Sequence, residues 1–209
     1  MPYPIEPPAR LLNVIKAMHE GKYYDPGDPD LMKIQTLCLE RVASYNETRP
    51  LEPEEREKRL RALLGGMGKK CYIEPPLHAN WGCHTFLGRN VYANFNLTLT
   101  DDTYITIEDD VMIGPNVTIV TAAHPIDPEG RKKGLQCNKP VRICKNVWLG
   151  AGVIVLPGVT IGENTTIGAG SVVTKDIPAN VVAFGSPCRV IRSFTEKDKA
   201  WRENTVLGL

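Results

Sequence analysis

The sequence predicts a mainly β protein in which a solenoid of short strands follows an N-terminal helical module. A six-residue repeat of aliphatic side chains after residue 65 and helical spacing of apolar residues before it predict this organisation. The repeat is broken once, at VTIVTAAHPIDPEGRKKGLQCNKPVRIC (117–144), where His124, Pro125, Pro128 and a basic run intervene. A chain of 209 residues with 42% hydrophobic composition can bury a sizeable core.

Three helices are predicted between residues 9 and 64. In the first, apolar residues at helical spacing precede Gly21 and are expected to share one face: Leu11, Leu12, Ile15 and Met18. In the second, Asp28 is a suitable N-cap and Pro29 suits the first helical position. The third begins near Pro53 and carries i,i+4 pairs typical of a solvated face: Glu54 with Lys58, Glu55 with Arg59 and Glu57 with Arg61.

The six-residue repeat indicates which side chains point inward. Its aliphatic positions form two series: Ile107, Ile113, Ile119, and then Ile143, Leu149, Val155, Ile161, Ile167, Val173. Three places after each aliphatic residue the chain favours Asn, Asp or Gly, as at Asp110, Asn116, Asn146, Gly152, Gly158, Asn164 and Gly170. Neither an α-helix nor an ordinary alternating strand has this period. A polygonal coil does, with an inward aliphatic side chain and a left-handed turn in every hexad, although a β-sandwich with Gly-rich turns is an alternative.

These patterns divide the chain into three parts. We expect a helical module at 1–64, a coil at 65–193 with an excursion loop near 124–139, and a C-terminal cap or tail at 194–209. The cap is expected because stacked coils need a cover at an end.

Composition excludes several classes of partner. A formal net charge of +1 provides no bulk electrostatic reason to bind nucleic acid or an anionic membrane. The N-terminus does not resemble a signal peptide and no apolar run is long enough to span a membrane, so a cytoplasmic protein is expected. The six cysteines include no C-x-x-C pair, so free thiols are expected rather than disulfides or a zinc site.

Several stretches resemble the hexapeptide-repeat acetyltransferases, and most closely the maltose and galactoside O-acetyltransferases. They are LGRNVYANFNLTLTDD, VMIGPNVTI, AAHP and NVWLGAGVIVLPGVTIGENTTIGAGSVVTKDIPANVVAFGSPCRVIR, together with the helical head. The resemblance covers nearly the whole chain. It implies a left-handed parallel β-helix, a homotrimer with active sites between neighbouring subunits, and acetyl-CoA as the donor.

The break in the repeat fits this reading. A flat-sided solenoid has no pocket of its own, so an excursion from one coil can build a wall against a neighbouring subunit. A sugar hydroxyl that attacks a thioester must lose its proton, and a neutral imidazole is suited to accept it. His124, in AAHP, matches the catalytic base of the family, whereas His19, His78 and His84 lack such context and are expected to be surface or packing residues.

The resemblance also assigns binding residues. Asn94 and Asp102 match positions that hold the acceptor, although both could be simple turn residues. Asn80 and Gln136 fall where galactoside members carry Ser and Met, and Gln35 where they carry Arg, which leaves the acceptor open. For the donor, the resemblance implies Trp148, Ala151, Ala169, Thr174, Lys175, Arg189 and Arg192. The small residues would let the pantetheine arm lie close, and the cations would meet phosphates, unless they form a solvated edge.

Other functions remain open at this point. A related enzyme could acylate a xenobiotic, serine or another non-sugar alcohol with the same base. A carbonic-anhydrase-like member would need three His on adjacent coils to hold zinc, and no metal is expected because His78, His84 and His124 lack a clear ligand arrangement. A non-catalytic scaffold and nucleophilic catalysis by Cys83 or Cys137 are further alternatives. A backbone N–H of a nearby turn is expected to stabilise the oxyanion.

Overall fold

The computed structural model describes residues 3–199. The predicted C-terminal cap at 194–209 therefore lies outside the described residues from position 200 onward. Its described part contains a short 3-10 helix, Glu196–Lys199. No helix within 3–199 is both long and apolar enough to cross a membrane.

The helical module contains α1 (Leu12–His19), α2 (Pro29–Asn46) and α3 (Pro53–Leu63). Asp28 caps α2 as predicted, because its Oδ1 accepts from the Asp30 backbone N–H at 2.9 Å. Leu11, directly before α1, and Ile15 and Met18 on α1 are buried, but Leu12 is 57% exposed, so its assignment to the buried face was wrong. The physical reason is geometric, since successive residues of a helix point about 100° apart.

The third helix carries two of its three predicted ion pairs. Arg59 contacts Glu55 at 2.8 Å and Arg61 contacts Glu57 at 2.7 Å. Lys58 lies 3.6 Å from Glu55, at i,i+3, rather than pairing with Glu54. These exposed pairs contribute little individually.

The coiled part winds strands into three sides that we number by sheet. Side 1 contains β1 (Gly66–Met67), β4 (Thr85–Leu87), β7 (Ile105–Ile107), β12 (Val141–Ile143) and β15 (Thr160–Ile161). Side 2 contains β2 (Tyr72–Ile73), β5 (Tyr92–Ala93), β8 (Met112–Ile113), β13 (Trp148–Leu149), β16 (Thr166–Ile167), β18 (Val181–Phe184) and β19 (Arg189–Ser193). Side 3 contains β3 (Leu77–Ala79), β6 (Leu97–Thr100), β9 (Thr118–Val120), β14 (Ile154–Val155) and β17 (Val172–Val173).

The strands of each side are parallel, apart from the final β18–β19 pair, so the architecture is the predicted left-handed parallel β-helix. Repeat positions stack directly on one another, as Leu149 on Ile167 and Val155 on Val173. Every aliphatic residue of the two predicted series is at most 1% exposed. The hydrophobic core is therefore a column of aliphatic layers along the coil axis.

The corners between sides confirm the turn prediction. All of the predicted Asn, Asp and Gly turn residues have positive φ: Asp110, Asn116, Asn146, Gly152, Gly158, Asn164 and Gly170. A second requirement is close stacking of coils. A Cβ added at Gly150 would lie 2.6 Å from the backbone nitrogen of Ala169, so this corner has no room for a side chain.

Residues 121–140 leave the coil between β9 and β12, and we call this segment the excursion. It contains β10 (Ala122–Ala123), a short helix α4 (Pro128–Lys132) and β11 (Cys137–Asn138), with β10 and β11 antiparallel. The excursion docks on the helical module through reciprocal backbone hydrogen bonds of 2.9 and 3.0 Å between Tyr24 and Gln136. The module therefore supports the segment that carries His124.

Candidate active site

His124 follows β10 directly and is exposed on the single chain. Its Nδ1 lies 2.9 Å from the carbonyl oxygen of Leu135. Leu135 lies after α4, in the part of the excursion that leads back to the coil, which we call the returning arm. A carbonyl can only accept, so this contact places the ring hydrogen on Nδ1 and leaves the lone pair on Nε2. The excursion therefore presents an imidazole that can take up a proton at Nε2.

Asp102 ends the turn after β6 and is only 6% exposed. Its Oδ2 accepts from Asn80 Nδ2 at 2.8 Å, and its Oδ1 accepts a longer hydrogen bond of 3.3 Å from Trp81 Nε1. The structure thus brings together two residues that the sequence assigned to the acceptor. It also fixes the orientation of the carboxylate.

Gln136 is placed differently. It is 7% exposed, and its Nε2 donates to the Tyr24 hydroxyl at 2.7 Å and to Asn138 Oδ1 at 3.0 Å. Its amide group faces the helical module and is hydrogen-bonded to residues of the chain itself.

Predicted site residues fall into two stripes along the coil. The first stripe follows the corner between sides 3 and 1: Asn80, Asp102, His124, Thr174 and Lys175. Each belongs to the connection that leaves a side 3 strand, so members on different connections are separated by one or more coil heights of about 4.8 Å, while Thr174 and Lys175 share one connection. One corner therefore collects the predicted base, two predicted acceptor residues and part of the predicted donor site.

The second stripe follows the corner between sides 2 and 3: Asn94, Ala151 and Ala169. Ala151 and Ala169 lie on adjacent coils, because Gly170 N donates to Ala151 O at 2.8 Å. Asn94 Oδ1 accepts from the Phe95 backbone N–H at 2.8 Å, as an ordinary turn residue would. Trp148 lies beside this stripe on side 2 and is 54% exposed.

The two predicted arginines lie on β19 beyond the last full coil, and both are exposed. Arg192 already has a bidentate partner, since Nη1 and Nη2 each lie 2.7 Å from a carboxylate oxygen of Asp198. Arg189 Nη1 donates to the carbonyl of Cys188 at 2.9 Å. A phosphate bound at Arg192 would compete with Asp198.

His84 and Cys83 have structural surroundings. His84 is fully buried, with Nδ1 2.8 Å from the Asp101 carbonyl and Nε2 3.0 Å from the Tyr3 hydroxyl. Within residues 3–199 no group of three His, Cys, Asp or Glu side chains could hold a metal ion. Cys83 is buried with its Sγ 3.9 Å from that of Cys38, and this contact together with burial raises the pKa of the Cys83 thiol.

Sequence reasoning missed four residues that hydrogen-bond to predicted site residues: Trp81, Leu135, Tyr24 and Asn138. Trp81 and Leu135 act outside the repeat, one through its indole N–H and the other through its backbone carbonyl, so no pattern marks them. Asn138 follows Gln136 by two places in an extended segment, which puts both side chains on one face. That alternation was the available signal for Asn138.

Comparisons with known proteins agree with this geometry. Residues 140–175 match the family model described as bacterial transferase hexapeptide (six repeats), and residues 17–68 match the maltose acetyltransferase hexapeptide capping motif. The galactoside O-acetyltransferase of Lactococcus lactis is 51% identical over 188 residues, which covers 90% of this chain and 91% of that protein.

Two solved structures extend the similarity to the fold. A galactoside acetyltransferase in complex with coenzyme A is 43% identical, with a TM-score of 0.85 over 88% of this chain and 92% of that chain. A maltose O-acetyltransferase from Clostridium difficile 630 is 45% identical, with a TM-score of 0.85 over 87% and 97%.

The coil, its excursion and the stacked corners define a hexapeptide-repeat acetyltransferase. Within that class, the chain belongs to the maltose and galactoside O-acetyltransferases.

Proposed function

We propose that the protein transfers an acetyl group from acetyl-CoA directly to a sugar hydroxyl in a ternary complex, with His124 as the general base. The observation that carries the proposal is the contact between His124 Nδ1 and the Leu135 carbonyl, because it leaves Nε2 ready to accept a proton. A cytoplasmic location is part of the proposal. The six free cysteines support it, since thiols persist in reducing compartments.

The chemistry follows from that nitrogen. As the acceptor oxygen attacks the thioester carbonyl carbon, Nε2 takes the hydroxyl proton. The tetrahedral intermediate then collapses by breaking the C–S bond, and the departing sulfur takes the proton back from the imidazolium. The products are the acetyl ester and free CoA, and His124 returns to its neutral form.

The acceptor is held by the first stripe. The Asp102 carboxylate offers acceptor oxygens to sugar hydroxyls, and Asn80 supports it at 2.8 Å. A carboxylate fixed by an amide and an indole loses little freedom when a polyol binds, which favours orientation of one hydroxyl towards His124.

The donor engages residues on both stripes, which supports a homotrimer. The two stripes lie at the two edges of side 3, so its outward column faces between them: His78, Thr98, Thr118, Ile154 and Val172. If side 3 faces a threefold axis, the first stripe of one subunit meets the second stripe of its neighbour, and each subunit pair forms one site. The pantetheine arm would pass over Ala151 and Ala169, with Thr174 and Lys175 opposite.

The phosphates of CoA would lie towards the far end of the coil. Trp148 offers an exposed aromatic face beside the second stripe, and Lys175, Arg189 and Arg192 offer cations. The proposed division of the chain follows these roles: the module at 1–64 supports the excursion, the coil at 65–193 carries the stripes, and the tail begins at 194.

The test is a coupled assay for free CoA with acetyl-CoA and a panel of acceptors: glucose, maltose, a thiogalactoside, serine and chloramphenicol. We expect a sugar to turn over and His124→Ala to lower kcat by about 10²- to 10⁴-fold. A control is Lys58→Ala, because Lys58 is exposed on α3 and lies outside both stripes and outside side 3. Equal activity of His124→Ala and wild type, or turnover of serine or chloramphenicol alone, would overturn the base or the acceptor class.

A further inference from the structure

We infer that Asn138 is a positioning residue that sets the distance between the base His124 and the acceptor-holding Asp102. This inference rests on the proposed function and names residues that control the same site. Asn138 is fully buried, although its side chain is a polar amide. A buried amide that satisfies partners on three separate segments fixes those segments relative to one another.

The amide of Asn138 joins three parts of the chain. Its Nδ2 lies 3.1 Å from the carbonyl of Met18, 3.0 Å from the hydroxyl of Tyr24 and 3.2 Å from the carbonyl of Asp102. Its Oδ1 accepts from Gln136 Nε2 at 3.0 Å. The helical module, the turn that carries Asp102 and the excursion therefore meet at one side chain.

The same residue lies on the ladder that holds His124. Asn138 is paired with Ala122 across the β10–β11 ladder, two residues before His124. The Leu135 carbonyl that orients His124 belongs to the same returning arm. A shift of Asn138 away from the Asp102 turn would therefore move His124 relative to the carboxylate.

Tyr24 and Gln136 complete this unit. The Tyr24 hydroxyl accepts from both Gln136 Nε2 and Asn138 Nδ2, at 2.7 and 3.0 Å. Gln136 therefore acts on the acceptor site through Asn138 rather than by touching the sugar. We call Tyr24, Gln136 and Asn138 the buried clasp.

The experiment measures steady-state kinetics of Asn138→Ala, Asn138→Asp and Tyr24→Phe with the preferred sugar and with acetyl-CoA. We expect Asn138→Ala to lower kcat/KM for the sugar by about 10- to 100-fold, because displacement of a reacting group by about 1 Å has effects of this size. The KM for acetyl-CoA should stay within about twofold, since the side-chain hydrogen bonds of the buried clasp reach none of the predicted donor residues. Asn138→Asp keeps the acceptor oxygen but loses the donor, so it should be as impaired as Asn138→Ala.

Thr165→Val is the matched control for loss of a buried hydrogen bond. Thr165 is fully buried, and its hydroxyl donates to the Pro178 carbonyl at 2.8 Å on the corner between sides 1 and 2, away from both stripes. Thr165→Val should lower the midpoint of thermal unfolding and leave kcat and both KM values unchanged. If Asn138→Ala does not fold, Tyr24→Phe carries the test, since it removes one hydroxyl and keeps the ring, with an expected loss of about 3- to 10-fold.

Two outcomes would overturn the inference while the proposed function stands. One is a folded Asn138→Ala or Tyr24→Phe with wild-type kcat/KM for the sugar. The other is a rise in the KM for acetyl-CoA that matches the loss for the sugar. Inactivity of the wild type with every sugar, or full activity of His124→Ala, would instead overturn the proposed function itself, and the inference with it.

Discussion

At the scale of single residues, burial separates His19 and His84 from the exposed His78 and His124. Burial lowers the pKa of His84 to about 3, with a contribution from His19, and burial alone lowers the pKa of His19 to about 4. Both rings are therefore neutral at physiological pH and belong to the packing between the helical module and the coil. His124, by contrast, is exposed and has a defined tautomer.

These shifts predict a pH dependence of stability. An unfolded His titrates near pH 6.5, so between about pH 6.5 and 4 the unfolded chain binds protons at His19 and His84 that the folded chain does not. Their contribution to stability is lost as the pH falls through this window. Burial raises the pKa of Asp101 to about 7, so its contribution has the opposite sign and is lost as the pH rises towards 7. Because two imidazoles act in one direction and one carboxyl in the other, the free energy of unfolding should decrease as the pH falls.

The measurement is the urea midpoint of wild type and His84→Gln between pH 7 and 4.5 at fixed protein concentration. Glutamine keeps a donor and an acceptor but does not titrate, so the variant should lose less of its stability across the range. Parallel curves for the two proteins would contradict the assignment of this pH dependence to His84.

At the scale of elements, two features determine the conformation of each hexad: its inward aliphatic residue and its turn residue. The turn residues also bond to one another between coils. Asn146 Nδ2 donates to Asn164 Oδ1 at 2.9 Å, and Asn164 Nδ2 donates to Asn180 Oδ1 at 3.0 Å. Such a ladder favours one register of stacking, because a slip would separate every amide from its partner.

Two glycines separate the backbone and packing requirements of these corners. Gly152 has φ +67° and open space around an added Cβ. Gly152→Ala should therefore lower the free energy of unfolding by about 1–2 kcal/mol, through strain of the left-handed backbone alone. Gly150→Ala should cost more, because its Cβ would meet the Ala169 backbone nitrogen at 2.6 Å and backbone cannot rotate away. Urea unfolding of both variants checks the order. A smaller cost at Gly150 would mean that the coils can move apart.

Much of this element-scale description could be predicted from sequence. The inward series and the left-handed turn residues depend only on local periodicity and backbone sterics, and both were predicted residue by residue. Leu12 was misassigned because two adjacent leucines fit a helical pattern equally well until a neighbouring surface selects one. Lys58 pairs with Glu55 rather than Glu54. The sequence pattern could not distinguish the two, because both carboxylates are within reach of a long, exposed side chain.

At the scale of the whole molecule, the proposed trimer would place each active site between two chains. His124 and Asp102 would come from one chain, and Ala169 from the next. In such a trimer, with side 3 facing the axis, a threefold rotation would bring opposite edges of side 3 together and leave no edge stripe without a partner. The two stripes of one chain would then serve two different sites.

Mixed assemblies test this arrangement. Co-expression of His124→Ala with Ala169→Trp should restore activity, because random mixing leaves about a quarter of the sites with both native residues. The matched control pairs His124→Ala with Asp102→Ala. Those two residues lie on one stripe, so no mixed site has both intact and the assembly should stay impaired. The free-CoA assay on assemblies purified with two tags is the measurement, and absence of recovery in the first mixture would contradict a shared site.

The sequence by itself determined the coil, its core and its turns, because a six-residue period fixes which side chains point inward and which residues turn. Only the tertiary structure decided the tautomer of His124, the partners of Asp102 and the orientation of Gln136. The first depends on the return of the excursion to His124, and the second on the stacking of one coil on the next. The third depends on docking of the helical module against the excursion, where hydrogen bonds join residues 112 and 120 positions apart. No local pattern encodes such contacts, since they form when separate elements pack.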